Sequence, residues 1–295
     1  MLLFGAAGLF GKWIDLPPTV LVLGRVVFAA ITLGAGMALW RGGRETAREG
    51  TTPIDRRRDA GSDAARRLDG FALPVLGLLL AAHWVSFFHA IQVSSVAVGL
   101  LTFATFPIFT ALLEPLLPGE RFDTATLVAA AVTGLGVALV IPAPEPADPV
   151  VRGAFWGVVS GLTFALLALL NRSLVRRRGA LDLAFRQDLW AALFLIPFAI
   201  DAPRGPTAAE WGLLIVLGVV FTAGAHALFI HALSGVRAGR AAVIASLEPL
   251  YGVILAALLL GERPSSRVLA GGALILAAAV WVSRRAHGGK ARAAP

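Results

Sequence analysis

The chain has 295 residues, of which 57% are hydrophobic and 15% charged, with no cysteine and a formal net charge of +8. A soluble domain carries roughly 25% charged residues, and these apolar residues gather in runs near the length a helix needs to cross hydrocarbon, which excludes a soluble bundle with polar faces. The missing cysteine excludes disulfides, thiolate catalysis and cysteine-ligated metals, and the positive charge reads as a marker of cytoplasmic loops rather than of nucleic-acid binding.

Ten helical spans are predicted, at about 1–14, 19–40, 71–91, 95–117, 122–142, 153–172, 180–200, 211–233, 239–260 and 267–283. Barrel strands would alternate polar and apolar residues, and these runs are continuous. The first run is short: Leu2 to Ile14, before Asp15-Leu16-Pro17-Pro18. Helix 1 is therefore expected either to be thin or to start upstream. No signal peptide is read, because Met1 leads into an apolar run without a basic segment. Between spans 2 and 3 lies an arginine-rich polar loop, 41–70, expected to be a disordered cytoplasmic connection, with anionic-lipid contact as the weaker alternative.

With the N-terminus inside, the inner segments hold 19 Lys and Arg and the outer loops 4. Both termini are therefore expected to be cytoplasmic. Trp13, Trp40, Trp156, Trp211 and Trp281 fall at predicted span ends, where amphipathic rings favour the interface; Trp84 and Trp190 do not.

The string from His231 to Arg263 repeats landmarks found 142 positions earlier: His89-Ala90 answers His231-Ala232, Pro107 answers Pro249, and Gly119-Glu120-Arg121 answers Gly261-Glu262-Arg263. Internal duplication of this kind organises the rest of the reading. It divides the chain into a first five-span unit, 1–142, a Pro-rich acidic outer linker, 143–152, a second unit, 153–283, and a basic tail, 284–295. Five is odd, so the second unit runs through the membrane upside down relative to the first. Transporters built this way hold their solute near the midplane, between the halves.

Phe4-Gly5, Lys12, Arg25, Leu247-Glu248-Pro249 and Leu259-Leu260-Gly261-Glu262, with two copies ending in Pro and then Gly-Glu-Arg, resemble the EamA-type drug/metabolite transporters. The resemblance covers the chain apart from loop 41–70 and the tail after Ser283. It implies ten helices in a 5+5 inverted repeat and export of small metabolites, often amino acids, from bacterial cytoplasm. The aromatic amino-acid and threonine/homoserine exporters are the nearest analogies. The chain departs from the family pattern in having Phe4-Gly5 where Trp-Gly is usual, and in a second Glu-Pro at Glu114-Pro115.

Candidate site residues are the polar and helix-breaking ones inside the spans. Glu248 lies well inside span 9, where an ionised carboxylate costs about 2.5–3.5 kcal/mol and must face a cavity, meet a cation or carry a proton. Pro249 interrupts the same helix, and Pro107 interrupts span 4 at the matching position; plain kinking of a tight bundle is the alternative. His83 and Trp84 in span 3, and His226 in span 8 (the repeat mate of Trp84), are placed to line a cavity for a ring-bearing or zwitterionic solute, or else to pack the bundle. Arg25 either snorkels to the headgroups or answers a carboxylate. Gln187, its match in the second unit, and Tyr251, beside Pro249, complete the candidates. His89 and His231 read as helix-end residues, as do Glu114, Glu120 and Glu262. Arg186-Gln187-Asp188 is expected to contain a local ion pair. Gly5, Gly8 and Gly11, and Gly157 with Gly161, are expected to pack helices closely.

The expected function is secondary transport of small organic metabolites, amino acids foremost, out of the cell across a bacterial inner membrane. Partners are the lipid bilayer, a small-molecule substrate and, as coupling ion, a proton resting on Glu248, His83 and His226; facilitated diffusion fits equally. No cofactor, metal or nucleic acid is expected, and a monomer suffices. The alternatives are a channel-like facilitator, an importer of a drug, sugar or nucleotide derivative, and a membrane-embedded enzyme. The last lacks His-Glu-x-x-His and Gly-x-Ser-x-Gly, and no Gly-x4-Gly-Lys motif offers ATP drive.

Overall fold

Helices account for nearly all of the computed structural model. It describes residues 2–45, 63–113, 115, 124–141, 147–235 and 247–291. Most of loop 41–70, Glu114, Gly119-Glu120-Arg121, residues 143–146 of the linker, Arg237, Arg240 and the end of the tail lie outside the described residues.

In chain order the helices are α1 (Leu2–Ala7), α2 (Phe10–Trp13), α3 (Pro18–Glu45), α4 (Asp63–Val93), α5 (Val96–Phe103), α6 (Phe106–Leu113), α7 (Thr124–Val140), α8 (Pro149–Arg178), α9 (Ala180–Ile200), α10 (Ala208–Val216), a π-helical segment (Leu217–Gly224), α11 (Ala225–Gly235), α12 (Glu248–Leu260) and α13 (Ser266–Ala291). Among the described residues six stretches are long and apolar enough to cross a membrane: Pro18–Leu39, Gly70–Val93, Val96–Leu113, Pro149–Val175, Ala180–Ile200 and Ala208–Ala232. The remaining predicted runs hold shorter apolar helices, Leu2–Trp13, Leu127–Val140, Glu248–Leu260 and Ser266–Trp281. Ile31, Phe71, Phe155, Phe198, Leu228 and Leu258 all stand exposed. Lipid, not water, is the solvent that tolerates so much outward apolar surface.

Local signals start and stop these helices. The Ser95 hydroxyl accepts from the Val98 amide at 3.1 Å and caps α5, and Asp148 caps α8 ahead of Pro149. Thr207 and Glu210 form a reciprocal capping box at the start of α10. Gly261, at φ 67°, ends α12 in the left-handed conformation that glycine adopts without strain.

The repeat offset reappears in the helix boundaries. Helices α6 and α12 begin 142 positions apart. Pro107 and Pro249 each occupy the second residue of their helix, α6 and α12, where the missing N–H removes no intrahelical bond. The interruption in span 4 thus lies just upstream of Pro107, at Ala104–Thr105, where the Thr105 hydroxyl donates to the Thr102 carbonyl at 2.8 Å.

Helix α4 packs along α8 and α9, α3 along α9 and the π-helical segment, α7 along α13, and α1 against α12. Two of these contacts depend on glycine. A Cβ on Gly161 of α8 would lie 3.0 Å from the Phe103 carbonyl oxygen, and one on Gly5 of α1 would lie 2.7 Å from the Glu248 carbonyl oxygen. Backbones this close leave no room for a side chain.

One end of the bundle is tied by polar contacts. Arg204 holds Glu210 through two bonds of 2.7 and 2.8 Å, donates to the Asp15 carbonyl and lies 3.6 Å from the exposed Asp15 carboxylate. Glu210 also accepts from the Asp15 amide at 3.1 Å. The hydrogen bond from Arg204 to Glu210 raises the guanidinium above its ordinary pKa, so it stays charged. Lys12 donates to the Ser94 carbonyl, and Gln92 to that of Leu16, each at 2.9 Å. Glu262 accepts from the Val96 and Ala97 amides at 3.0 and 3.4 Å, so it caps α5 from the far copy of the repeat. Arg204→Ala is expected to lower the melting temperature of the detergent-purified protein by several times the loss from Asp15→Asn, as scanning fluorimetry would show. The first change strips a buried carboxylate of its partner, while the second removes an exposed ion pair of little value.

Candidate functional site

Between α3, α4, α11 and α12 lies a cavity of about 30 Å³, room for about two waters. Arg25, His83, Trp84, His226 and Glu248 all line it. These five of the nine candidates come from four separate helices, and packing brings them together.

Arg25 is the centre of the site. It is 2% exposed, so it does not reach out of the bundle as a snorkelling residue does. Its Nε donates to the Thr222 hydroxyl at 2.9 Å, and its guanidinium carbon stands 3.8 Å from the Trp84 ring centroid and 5.3 Å from that of Phe88. Cation–π contact with a desolvated guanidinium contributes about 2 kcal/mol. Thr222 is held in turn, its hydroxyl donating to the Leu217 carbonyl five residues back at 2.8 Å. The widened turns of the π-helical segment present that hydroxyl, and such segments often mark functional sites.

The repeat mates Trp84 and His226 meet edge to face, with ring centroids 5.4 Å apart. Among the described residues no partner reaches His226 Nε2, which is buried. His83 Nδ1 lies 2.8 Å from the Ser160 hydroxyl and 3.2 Å from the Ser160 carbonyl oxygen, and its ring rests 4.9 Å from that of Phe164. Phe164 also meets Phe106, Phe103 and Phe229 at 5.0 to 5.6 Å, and Phe229 meets Phe4 at 6.0 Å. Aromatic rings from α1, α5, α8 and α11 thus form one wall. Glu248, the first residue of α12, is 9% exposed and faces the same space. It interacts electrostatically with Arg25.

The other four candidates lie elsewhere. Pro107 and Pro249 are buried at helix starts, off the cavity lining. Gln187 is fully buried on α9, where its Nε2 donates to the Asn171 Oδ1 of α8 at 2.5 Å. Tyr251 is 36% exposed and does not line the cavity. The ion pair expected within Arg186-Gln187-Asp188 forms otherwise: Arg186 pairs with Asp182 one turn away at 2.9 Å, and Asp188 turns inward. The stripe of buried residues on α9, Ala184, Gln187, Asp188, Ala191 and Leu195, follows the helical period and puts Arg186 on another face. That period is the signal by which Asp188 could have been found. Thr222 carried no signal of its own, because a π-helical segment is not written in an apolar run.

The EamA-like transporter family matches residues 1–141 and 151–284. Among curated proteins, the chain is 30% identical to the pseudopaline exporter CntI of Pseudomonas aeruginosa over 73% of this chain and 76% of that one. It is 24% identical to an S-adenosylmethionine uptake transporter of Rickettsia prowazekii, over 75% and 74%. An uncharacterized transporter of Archaeoglobus fulgidus is 29% identical over 70% of this chain and 72% of its own. A solved crystal structure shares the fold, with a TM-score of 0.66 at 17% identity, covering 97% of this chain and 94% of that one.

Proposed function

Because the chain belongs to the EamA-like transporter family and is thereby a multi-pass small-molecule transporter, we propose that it exports small organic metabolites, amino acids foremost, across a bacterial inner membrane by alternating access. The proposed architecture is a 5+5 inverted repeat of ten membrane helices with both termini cytoplasmic. The matching starts of α6 and α12, 142 positions apart, support it, and so does the arginine bias of the loops.

The observation that carries the reading is Arg25 and Glu248 on one cavity walled by aromatic rings. A guanidinium suits a carboxylate, a carboxylate suits an ammonium, and the rings suit an apolar side chain. Those three chemistries together describe an amino-acid zwitterion. At about 30 Å³ the cavity admits no amino acid as it stands, so loading requires its walls to part, as alternating access demands. The relative named as an exporter, at 30% identity, supports outward movement; the one named for uptake, at 24%, marks the competing direction.

The test has two steps. Amino acids accumulating in the medium of overexpressing cells, compared with deleted cells, identify the solute. Counterflow of that solute in proteoliposomes then measures Glu248→Gln, which is expected to lower flux about tenfold and flatten its pH dependence, a loss of roughly 1.4 kcal/mol. Unchanged flux with an unchanged pH profile would remove Glu248 from the site.

A further inference from the structure

Asp188 has no place in the site just described, and its surroundings are unlike those of the other acidic residues. It is fully buried on α9, and among the described residues no hydrogen-bond partner reaches either carboxylate oxygen. Asp182 on the same helix is paired with Arg186, Glu210 with Arg204, and Glu262 with two backbone amides. Gln187, the residue next to Asp188, is also satisfied, through Asn171. Polar pairing thus holds for Gln187, Asn171, Asp182 and Arg186 nearby, while both oxygens of Asp188 go without it among the described residues.

A bare carboxylate in such a setting carries an uncompensated charge, which a bound proton or cation relieves. Helices α3, α4, α8 and α11 pack against α9. From α3, Arg25 acts on Asp188 electrostatically. From α4 and α11, His83 and His226 lie at the cavity and interact with Arg25. From α8 come neutral Asn171 and exposed Arg172. On α9 itself, Asp182 and Arg186 are engaged with each other nearer the surface. Arg25 is thus the cation that addresses Asp188, yet its Nε is spent on Thr222 and its face on Trp84. Among the described residues no group of three or more His, Cys, Asp and Glu could hold a metal.

We propose that Asp188 is a proton-binding site whose occupancy decides whether the Arg25 guanidinium faces the cavity or turns to α9. The proposal rests on the transporter reading. With the proton bound, Arg25 is free to stand over Trp84 and meet a solute carboxylate. With the proton lost, Asp188 becomes an anion that draws the guanidinium out of the cavity. Glu248, which also interacts with Arg25, remains the carboxylate on the solute's side.

Infrared difference spectroscopy on the full chain in phosphatidylcholine vesicles, titrated from acid to alkali, tests this without measuring transport. The carbonyl stretch of a neutral carboxyl group is expected in the wild type, to disappear at alkaline pH, and to be absent from Asp188→Asn while persisting in Glu248→Gln. Arg25→Gln is expected to shift the pH at which the band disappears. A band retained in full by Asp188→Asn, no titrating band in the wild type, or a titration indifferent to Arg25→Gln overturns the proposal. So does loss of the band on adding sodium or potassium at fixed pH, since the occupant would then be a metal ion. Should Asp188→Asn fail to fold, Asp188→Glu takes its place: a displaced band supports the assignment and an unmoved one refutes it. A protein that shows the band but moves no solute sinks the transporter reading alone; one that moves solute without the band sinks the proton site alone.

Discussion

Arg25→Gln is expected to cut counterflow in proteoliposomes by about a hundredfold, equivalent to roughly 3 kcal/mol. Three contacts disappear together. The hydrogen bond to the Thr222 hydroxyl contributes about 1.5–3 kcal/mol, as bonds to charged groups do. The contact over Trp84 at 3.8 Å goes with it, as does the positive charge that acts on Asp188 and Glu248. The terms do not simply add, since glutamine keeps some hydrogen bonding. Arg25→Lys separates charge from shape. It keeps the cation but loses the planar stack and the Nε donor, so its flux is expected to fall between wild type and Arg25→Gln. Equal losses in the two variants would show that charge alone is not what the site uses.

Gly5→Val should produce the second large effect, a fall in stability with loss of transport. A Cβ at Gly5 would lie 2.7 Å from the Glu248 carbonyl oxygen and 2.8 Å from the Gly252 amide nitrogen. Both are backbone atoms, so relief comes only if α1 backs away from α12. Overpacking of this kind, backbone shifts included, costs about 1–3 kcal/mol and occasionally more. The functional loss has a shorter route, because the displaced backbone is that of Glu248 itself. Thermal unfolding in detergent and counterflow in vesicles check the two effects. Gly36→Ala and Gly212→Ala are the controls: nothing lies within 4 Å of a Cβ at either position, and both variants should match the wild type.

The grouping of five candidate residues at one cavity was legible from residue type alone. In a chain this apolar, a cation, two histidines, a tryptophan and a glutamate inside the spans had few solvents but one another, and Arg25, His83, Trp84, His226 and Glu248 do share one cavity. The face of each helix was less legible. Lipid-facing and core-facing positions are both apolar, so Tyr251 could not be seen to point outward. Gln187 found its partner on the neighbouring helix, Asn171, a pairing that only packing defines. Asp188 was masked by its neighbour in the chain: Arg186 looked like its counter-ion until the helical period placed the two on different faces. The position of Thr222 depends on a π-helical segment, and sequence patterns built on a regular turn do not foresee one.

The Gly261-Glu262 pair at the end of α12 has a mechanical meaning. Its carboxylate holds the first amides of α5, so the tail of one copy is pinned to the head of a helix in the other. Any movement that draws these two ends apart must release both bonds in one stroke and leave a helix start bare. The joint therefore ties the end of α12 to the start of α5, and parting the two would bare the first amides of α5.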